Sequence, residues 1–133
     1  MKYLLDTDTC IFALRRRMGV LQRLLQESPD DIAVSAMTEA ELTFGAIRSA
    51  ALERARPKVT AFLEPVMVLP FDREAAWKHA EIRWAIRSRP IGERDLVTAA
   101  VAVAHGLTLV THNTREFSRV EGLALEDWAE LPS

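Results

Sequence analysis

Five carboxylates occupy positions from which they could act together. Asp6 and Asp8 follow directly on the β-compatible run Lys2 to Leu5, and Glu41 lies within two turns of the segment behind Ile32 to Ser35. Asp95 opens an alanine- and valine-rich stretch, and Glu116 comes shortly after Leu107 to Val110. Carboxylates gathered without a counter-ion repel one another and would have to protonate or unfold the site, so such a group calls for a divalent cation. Oxygen ligands, with no suitably spaced histidine pair and Cys10 as the sole cysteine, select a hard ion such as Mg²⁺ or Mn²⁺ over Zn²⁺. An ion of this kind can activate a bound water and offset charge building on a phosphate, which predicts phosphodiester hydrolysis.

That chemistry depends on elements that bring the five together. Strands are expected over Lys2 to Leu5, Ile32 to Ser35, Val66 to Leu69 and Leu107 to Val110, with a fifth edge strand at Leu123 to Leu125. Helical spacing follows Asp6 through Ile11, Leu14 and the leucines beyond, and recurs from Met37 to Ser49 and from Ala50 to Leu63, the last interrupted by Pro57. Asp72 is an N-cap for a helix ending by Ser88, since Arg89-Pro90 disfavours continuation. Glu93 to His105 reads as a helix buried on most sides and capped by Gly106, and Thr114 to Phe117 as a single turn. Strands alternating with helices imply a single α/β domain, residues 1–133, with a parallel sheet of four to five strands and helices on both faces. In such sheets function gathers at the carboxyl ends of the strands, where Asp6, Asp8 and Glu41 fall directly and where the Pro90-Ile91-Gly92 loop can bring Asp95.

The whole-chain numbers agree with one soluble enzyme-sized domain. With 133 residues there is room for one core, and 49% hydrophobic against 27% charged residues excludes wholesale disorder. Leu96 to Ala104, the longest apolar stretch, is too short to span a bilayer, and carboxylates interrupt the N-terminal region where a secretory leader would be apolar. A lone cysteine fits a reducing cytoplasm. Net charge is −2, but its distribution is uneven: residues 44–94 carry ten Lys or Arg against six acids, and both flanks are acidic. A basic segment beside an acidic centre would let a near-neutral protein hold a phosphate backbone locally, although Arg48, Arg54, Arg56 and Lys58 read equally well as wet helix faces.

Four blocks in order resemble one family: the LLDT opening, Ala40-Glu41-Leu42 with Gly45, the Ile91-Gly92-Glu93-Arg94-Asp95-Leu96 segment with Ala99-Ala100, and Leu109 through Phe117. They are similar to PIN-domain ribonucleases of the VapC toxin type over nearly the whole chain. The resemblance implies a five-stranded parallel sheet, an endoribonuclease dependent on Mg²⁺ or Mn²⁺, and a toxin held by a cognate antitoxin. Asp6, Glu41 and Asp95 match the three core acidic positions. After the fourth strand the family places a further acidic or amide residue, and here Glu116 is favoured as a metal or water ligand. Asn113 then orients a carboxylate or the phosphate, and Thr111 donates to Asp6 or to the phosphate. Asp8 stands where the family often has asparagine, and its role stays open.

Each residue also has a plainer reading. Asp6 and Asp8 are good caps, and Asp95 in a first helical turn interacts favourably with the helix dipole. Trp77 and Trp84, seven apart, suit packing better than base stacking. Arg15-Arg16-Arg17 is either a solvated helix end or a phosphate grip. Asp6-Thr7-Asp8 also mimics the aspartate pair of haloacid-dehalogenase-type phosphatases, but that chemistry needs a lysine at the rim and the chain has only Lys2, Lys58 and Lys78. A catalytically silent binder of RNA or a partner is the non-enzymatic rival, against which the full acidic set argues. The family resemblance, together with apolar residues such as Phe44, Ile47, Leu63 and Trp84 that a small domain does not bury fully, implies a homodimer that forms a larger hetero-oligomer with an antitoxin, a basic side chain of which enters the acidic cleft.

Overall fold

A computed structural model describes residues 1–130; the expected domain of 1–133 extends over 131–133, which lie outside the described residues. Strands β1 (Tyr3–Leu5), β2 (Ile32–Ser35), β3 (Met67–Leu69), β4 (Thr108–Val110) and β5 (Leu125–Glu126) form one parallel sheet in the order β3-β2-β1-β4-β5. Among the helices, α1 (Thr7–Leu14), α2 (Val20–Leu24), α3 (Ala36–Ile47) and α4 (Leu52–Leu63) precede α5 (Arg73–Ala85), α6 (Glu93–His105) and α7 (Thr114–Phe117).

Alternation along the short strands assigns each face. Leu4, Ala33 and Leu109 sit in register and pack against Ala75, Ile82, Leu96, Ala99 and Phe117 of α5, α6 and α7. Their neighbours Leu5, Val34 and Val110 point the other way, to Cys10, Leu42, Phe62 and Trp128. The result is a sheet between two helical layers. Ala99, Ala100 and Ala102 are fully buried, so the small side chains of α6 permit close approach to α5 and the sheet. No helix among the described residues is long and apolar enough to cross a membrane.

Four local expectations are corrected. The first helix does not run on past Leu14: Arg16, Met18 and Gly19 take positive φ and turn the chain before α2. Pro57 lies inside an unbroken α4. The carbonyl its missing N–H would have used, that of Glu53, belongs to an exposed residue, while Val59, Phe62 and Leu63 anchor the helix to the core. The fifth strand is Leu125–Glu126 rather than Leu123 to Leu125, because β4 fixes its register through Leu109↔Leu125 and Val110↔Glu126. Trp77 and Trp84 do share a face of α5, but that face looks outward, 67% and 69% exposed.

Gly106 ends α6 at φ +65°, donating its N–H to the Val103 carbonyl at 3.2 Å. A Cβ there would meet nothing within 4 Å, so Gly106→Ala tests backbone strain alone. It should cost about 1 kcal/mol, or roughly 3–5 °C in Tm by thermal melting, and an unchanged Tm would disprove the strain.

Candidate active site

The sheet order reverses between β1 and β4: from β1 the chain builds β2 and β3 on one side, then returns to lay β4 and β5 on the other. The carboxyl ends of two adjacent strands therefore open onto a crevice not covered by their own connections. Asp6 is the residue that leaves β1 at this point, its N–H bonded to the Val110 carbonyl at 3.1 Å. As N-cap of α1, its carboxylate accepts the Thr9 N–H at 2.9 Å. The capping and site readings of Asp6 describe one side chain, which is 7% exposed.

A cleft of about 440 Å³ is lined by Asp6, Thr7, Asp8, Glu41, Gly92, Glu93, Arg94, Asp95 and Thr98. Glu41 arrives on the second turn of α3, which β2 launches through the cap Ser35. Asp95 arrives on the first turn of α6 behind the Gly92 N-cap, next to the buried Ile91. Thus Asp6, Glu41 and Asp95, drawn from three remote parts of the chain, share one cleft, with Asp8 exposed at its lip. Thr111, Asn113 and Glu116 lie beyond β4 and do not line it. Thr111 is fully buried, its hydroxyl accepting the Asn113 N–H at 2.9 Å, and Asn113 Nδ2 donates to Glu116 Oε2 at 2.9 Å.

The acids feel one another. Burial pushes the Asp6 carboxyl above its ordinary value and the Asp8 charge adds to this, while hydrogen bonds from Thr111 and Thr9 pull it partly back. Asp95 is pushed up to about 6, by burial first and then by the charges of Asp6, Glu116, Asp8 and Glu41. Glu116 thus acts on the cleft through its field without touching it. Among the described residues neither Asp6 nor Asp95 has an ion-pair partner.

Glu41 is held differently. Thr7 Oγ1 lies 2.8 Å from its Oε1 and 3.1 Å from Thr38 Oγ1, and Thr38 in turn meets Ser35 Oγ at 3.4 Å. Thr7 has a single proton, which goes to the carboxylate, so it accepts from Thr38 and the hydroxyl row points at Glu41. Arg94 Nη1 takes the other oxygen at 3.3 Å. As these side chains lie, no group of three acidic, histidine or cysteine side chains among the described residues is drawn close enough to grip a metal. Glu41 is bonded to Thr7 and Arg94, and Glu116 to Asn113.

The hydroxyls and Arg94 were not foreseen as site groups. The i, i+3, i+6 spacing of Ser35, Thr38 and Glu41 is the signal that would have shown them on one helix face. His112, by contrast, has an ordinary role: its Nδ1 pairs with Asp127 at 3.0 Å and its ring meets Phe12 edge-on. Arg15, Arg16 and Arg17 are exposed at the end of α1. No lysine lines the cleft, since Lys2 pairs with Asp31 and Lys78 with Glu81 elsewhere, and Lys58 stands over the groove between α3 and α4; the phosphatase reading lacks its essential cation.

Comparison with known proteins agrees with this architecture. The family model of the PIN domain matches residues 3–123. The tRNA(fMet)-specific endonuclease VapC of Salmonella typhimurium is 35% identical over 130 residues, covering 96% of this chain and 98% of that one. A chain of DNA-bound VapBC from Salmonella typhimurium superposes with a TM-score of 0.90 at 35% identity, covering 97% of this chain and 99% of that one. VapBC2 from Rickettsia felis, bound to a promoter DNA fragment, gives 0.87 at 31%, covering 96% and 99%. A parallel sheet with acids at the turn of its strand order, matched from end to end by such relatives, places the chain in the PIN-domain family, within its VapC group.

Proposed function

We propose that this protein is an endoribonuclease toxin of a toxin–antitoxin pair that hydrolyses RNA phosphodiester bonds with the help of Mg²⁺ or Mn²⁺. The observation that carries the reading is the pair Asp6 and Asp95: two carboxylates facing one cleft, both raised above their ordinary values, while the one arginine lining that cleft, Arg94, is paired with Glu41. A hard divalent ion is what such oxygen donors fit. Asp6 and Asp95 would hold it, with Glu41 and Glu116 as the further acids in reach of its charge. When bound, the ion would neutralise charge and lower the pKa of a water, so that hydroxide is available near neutral pH to attack phosphorus.

The chain's own groups supply position. The Thr9 N–H and the α1 cap fix Asp6, the Ser35–Thr38–Thr7 row orients Glu41, and Asn113 orients Glu116. Buried Thr111 backs Asp6 and keeps its charged form accessible. The VapBC complexes among its structural neighbours support an antitoxin as partner. The Arg94–Glu41 pair is a precedent within this cleft for a guanidinium on the acids, the role an antitoxin's basic side chain would play. The outward face bearing Trp77 and Trp84 supports a second copy of the chain as a further partner.

Purified protein incubated with tRNA should cut it in Mg²⁺ or Mn²⁺, stop in EDTA and resume when Mn²⁺ is restored. The named specificity of the Salmonella relative makes initiator tRNA the first substrate to try. Cleavage that continues at full rate in EDTA would refute the metal requirement, and intact RNA under every condition would refute the nuclease.

A further inference from the structure

The acidic cleft does not end at Glu41. A second depression of about 320 Å³ adjoins it across Thr7, Asp8, Glu41 and Arg94, and continues over α3 to Phe44 and Arg48. To the shared carboxylates of Asp8 and Glu41 it adds an aromatic ring and a second arginine. Arg94 and Arg48 bring two guanidiniums, and Phe44 presents a ring 62% exposed with the Arg48 guanidinium 5.7 Å above it. The floor at Gly45 is open, for a Cβ there would meet nothing within 4 Å.

An exposed aromatic flanked by two arginines matches an unpaired nucleotide: the ring offers a stacking face to any base, and the guanidiniums match phosphate in geometry and charge. Arg94 is free to take that part. Its side chain is 73% exposed and its bond to Glu41 is a long surface pair, which exchanges at little cost. It is also the sole cation lining the acidic cleft. Building on the ribonuclease reading, we infer that this depression is a nucleotide subsite beside the scissile bond, with Phe44 stacking the base and Arg94 and Arg48 gripping its phosphate. The basic middle third of the sequence then meets the acidic centre at this edge.

Binding of fluorescently labelled initiator tRNA in Mg²⁺, on an Asp6→Asn background that prevents turnover, tests the subsite by anisotropy. Phe44→Ala should weaken binding roughly tenfold and Phe44→Trp should restore it, whereas Phe44→Leu, which keeps bulk without a π face, should not. Arg94→Ala should weaken binding and lower the slope of log affinity against log salt by about 1. Phe71→Ala, an exposed aromatic between β3 and α5 that lines neither depression, should change nothing, and Tm should hold throughout.

Unaltered RNA affinity in Phe44→Ala and Arg94→Ala would overturn the subsite, as would an equal loss in Phe71→Ala. So would a Phe44→Ala protein that keeps its RNA but no longer retains its antitoxin, since the depression would then be a protein-docking surface. The two readings fail separately. Metal-dependent cleavage with a KM indifferent to Phe44 removes only the subsite; RNA binding that depends on Phe44, in a wild-type protein that cuts nothing, removes only the nuclease.

Discussion

Asp95→Asn should lose RNA cleavage by at least about 100-fold and yet melt at a higher temperature than the parent when both are free of metal. The loss follows from the place of Asp95 at the start of α6, facing Asp6 across the cleft. Residues that merely support a metal ligand are worth roughly 10–100-fold, so a ligand itself stands at or above the top of that range. The gain in stability follows from the same carboxylate's predicament. Burial and four neighbouring acids raise it to about 6, so at neutral pH the metal-free fold carries a charge it would rather not have. Two pH units would correspond to roughly 3 kcal/mol if fully felt. Asp95 is half-buried and water screens it, so about 1 kcal/mol, or roughly 3–5 °C, is the expected rise. Activity and calorimetry on the same preparation decide both halves. A variant that melts lower in EDTA would mean that the Asp95 carboxylate makes an attractive contact, and one that still cuts RNA would remove it from the chemistry.

Magnesium should stabilise the protein strongly near pH 7.5 and hardly at all near pH 5. The folded state raises the Asp95 pKa above its unfolded value, and that of Asp6 moves the same way. Protonated, these groups favour the fold, so their contribution is complete below about pH 4 and is lost as pH climbs through about 6. In EDTA, stability from this cluster should therefore decline between about pH 5 and about pH 7.5. A cation that binds only the folded protein reverses the decline at the higher pH, by about 2.7 kcal/mol at a hundred times its Kd. At the lower pH it must displace protons and loses most of that effect. Melting curves at both pH values, with and without Mg²⁺, and with Asp6→Asn as the variant that should not respond, test the claim. An equal Mg²⁺ effect at both pH values, or one that survives in Asp6→Asn, would show that the ion binds elsewhere.

Several elements were readable in the linear chain because one local force dominated each. β2 is bounded by a turn cluster and a capping serine, α6 by a glycine at either end, and α5 begins at Asp72, whose carboxylate accepts the Ala75 N–H as expected. Where two forces competed, reading failed. Hydrophobic spacing past Leu14 suggested a continuing helix, but the left-handed backbone at Arg16 and Met18 is adopted for the sake of the α1–α2 turn, and neither residue type signals it. Pro57 was given its local preference, whereas the packing of Val59, Phe62 and Leu63 carries α4 through. The register of β5 belongs to β4 as much as to its own residues.

The candidate site divides along the same line. That Asp6, Glu41 and Asp95 should meet was implied by their order relative to strands and helices, since a parallel sheet sends every strand's carboxyl end to one rim. Residue type and spacing along the polypeptide were enough to name the three acids that share the cleft and the family to which the chain belongs. Which acids line the cleft, that Glu116 stands outside it, that Glu41 is bound to Thr7 and Arg94, and that Phe44 lines the adjoining depression were settled by folding alone. Side-chain identity is local information, but burial, field and partner are properties of the packed neighbours, and those come from segments up to a hundred residues away.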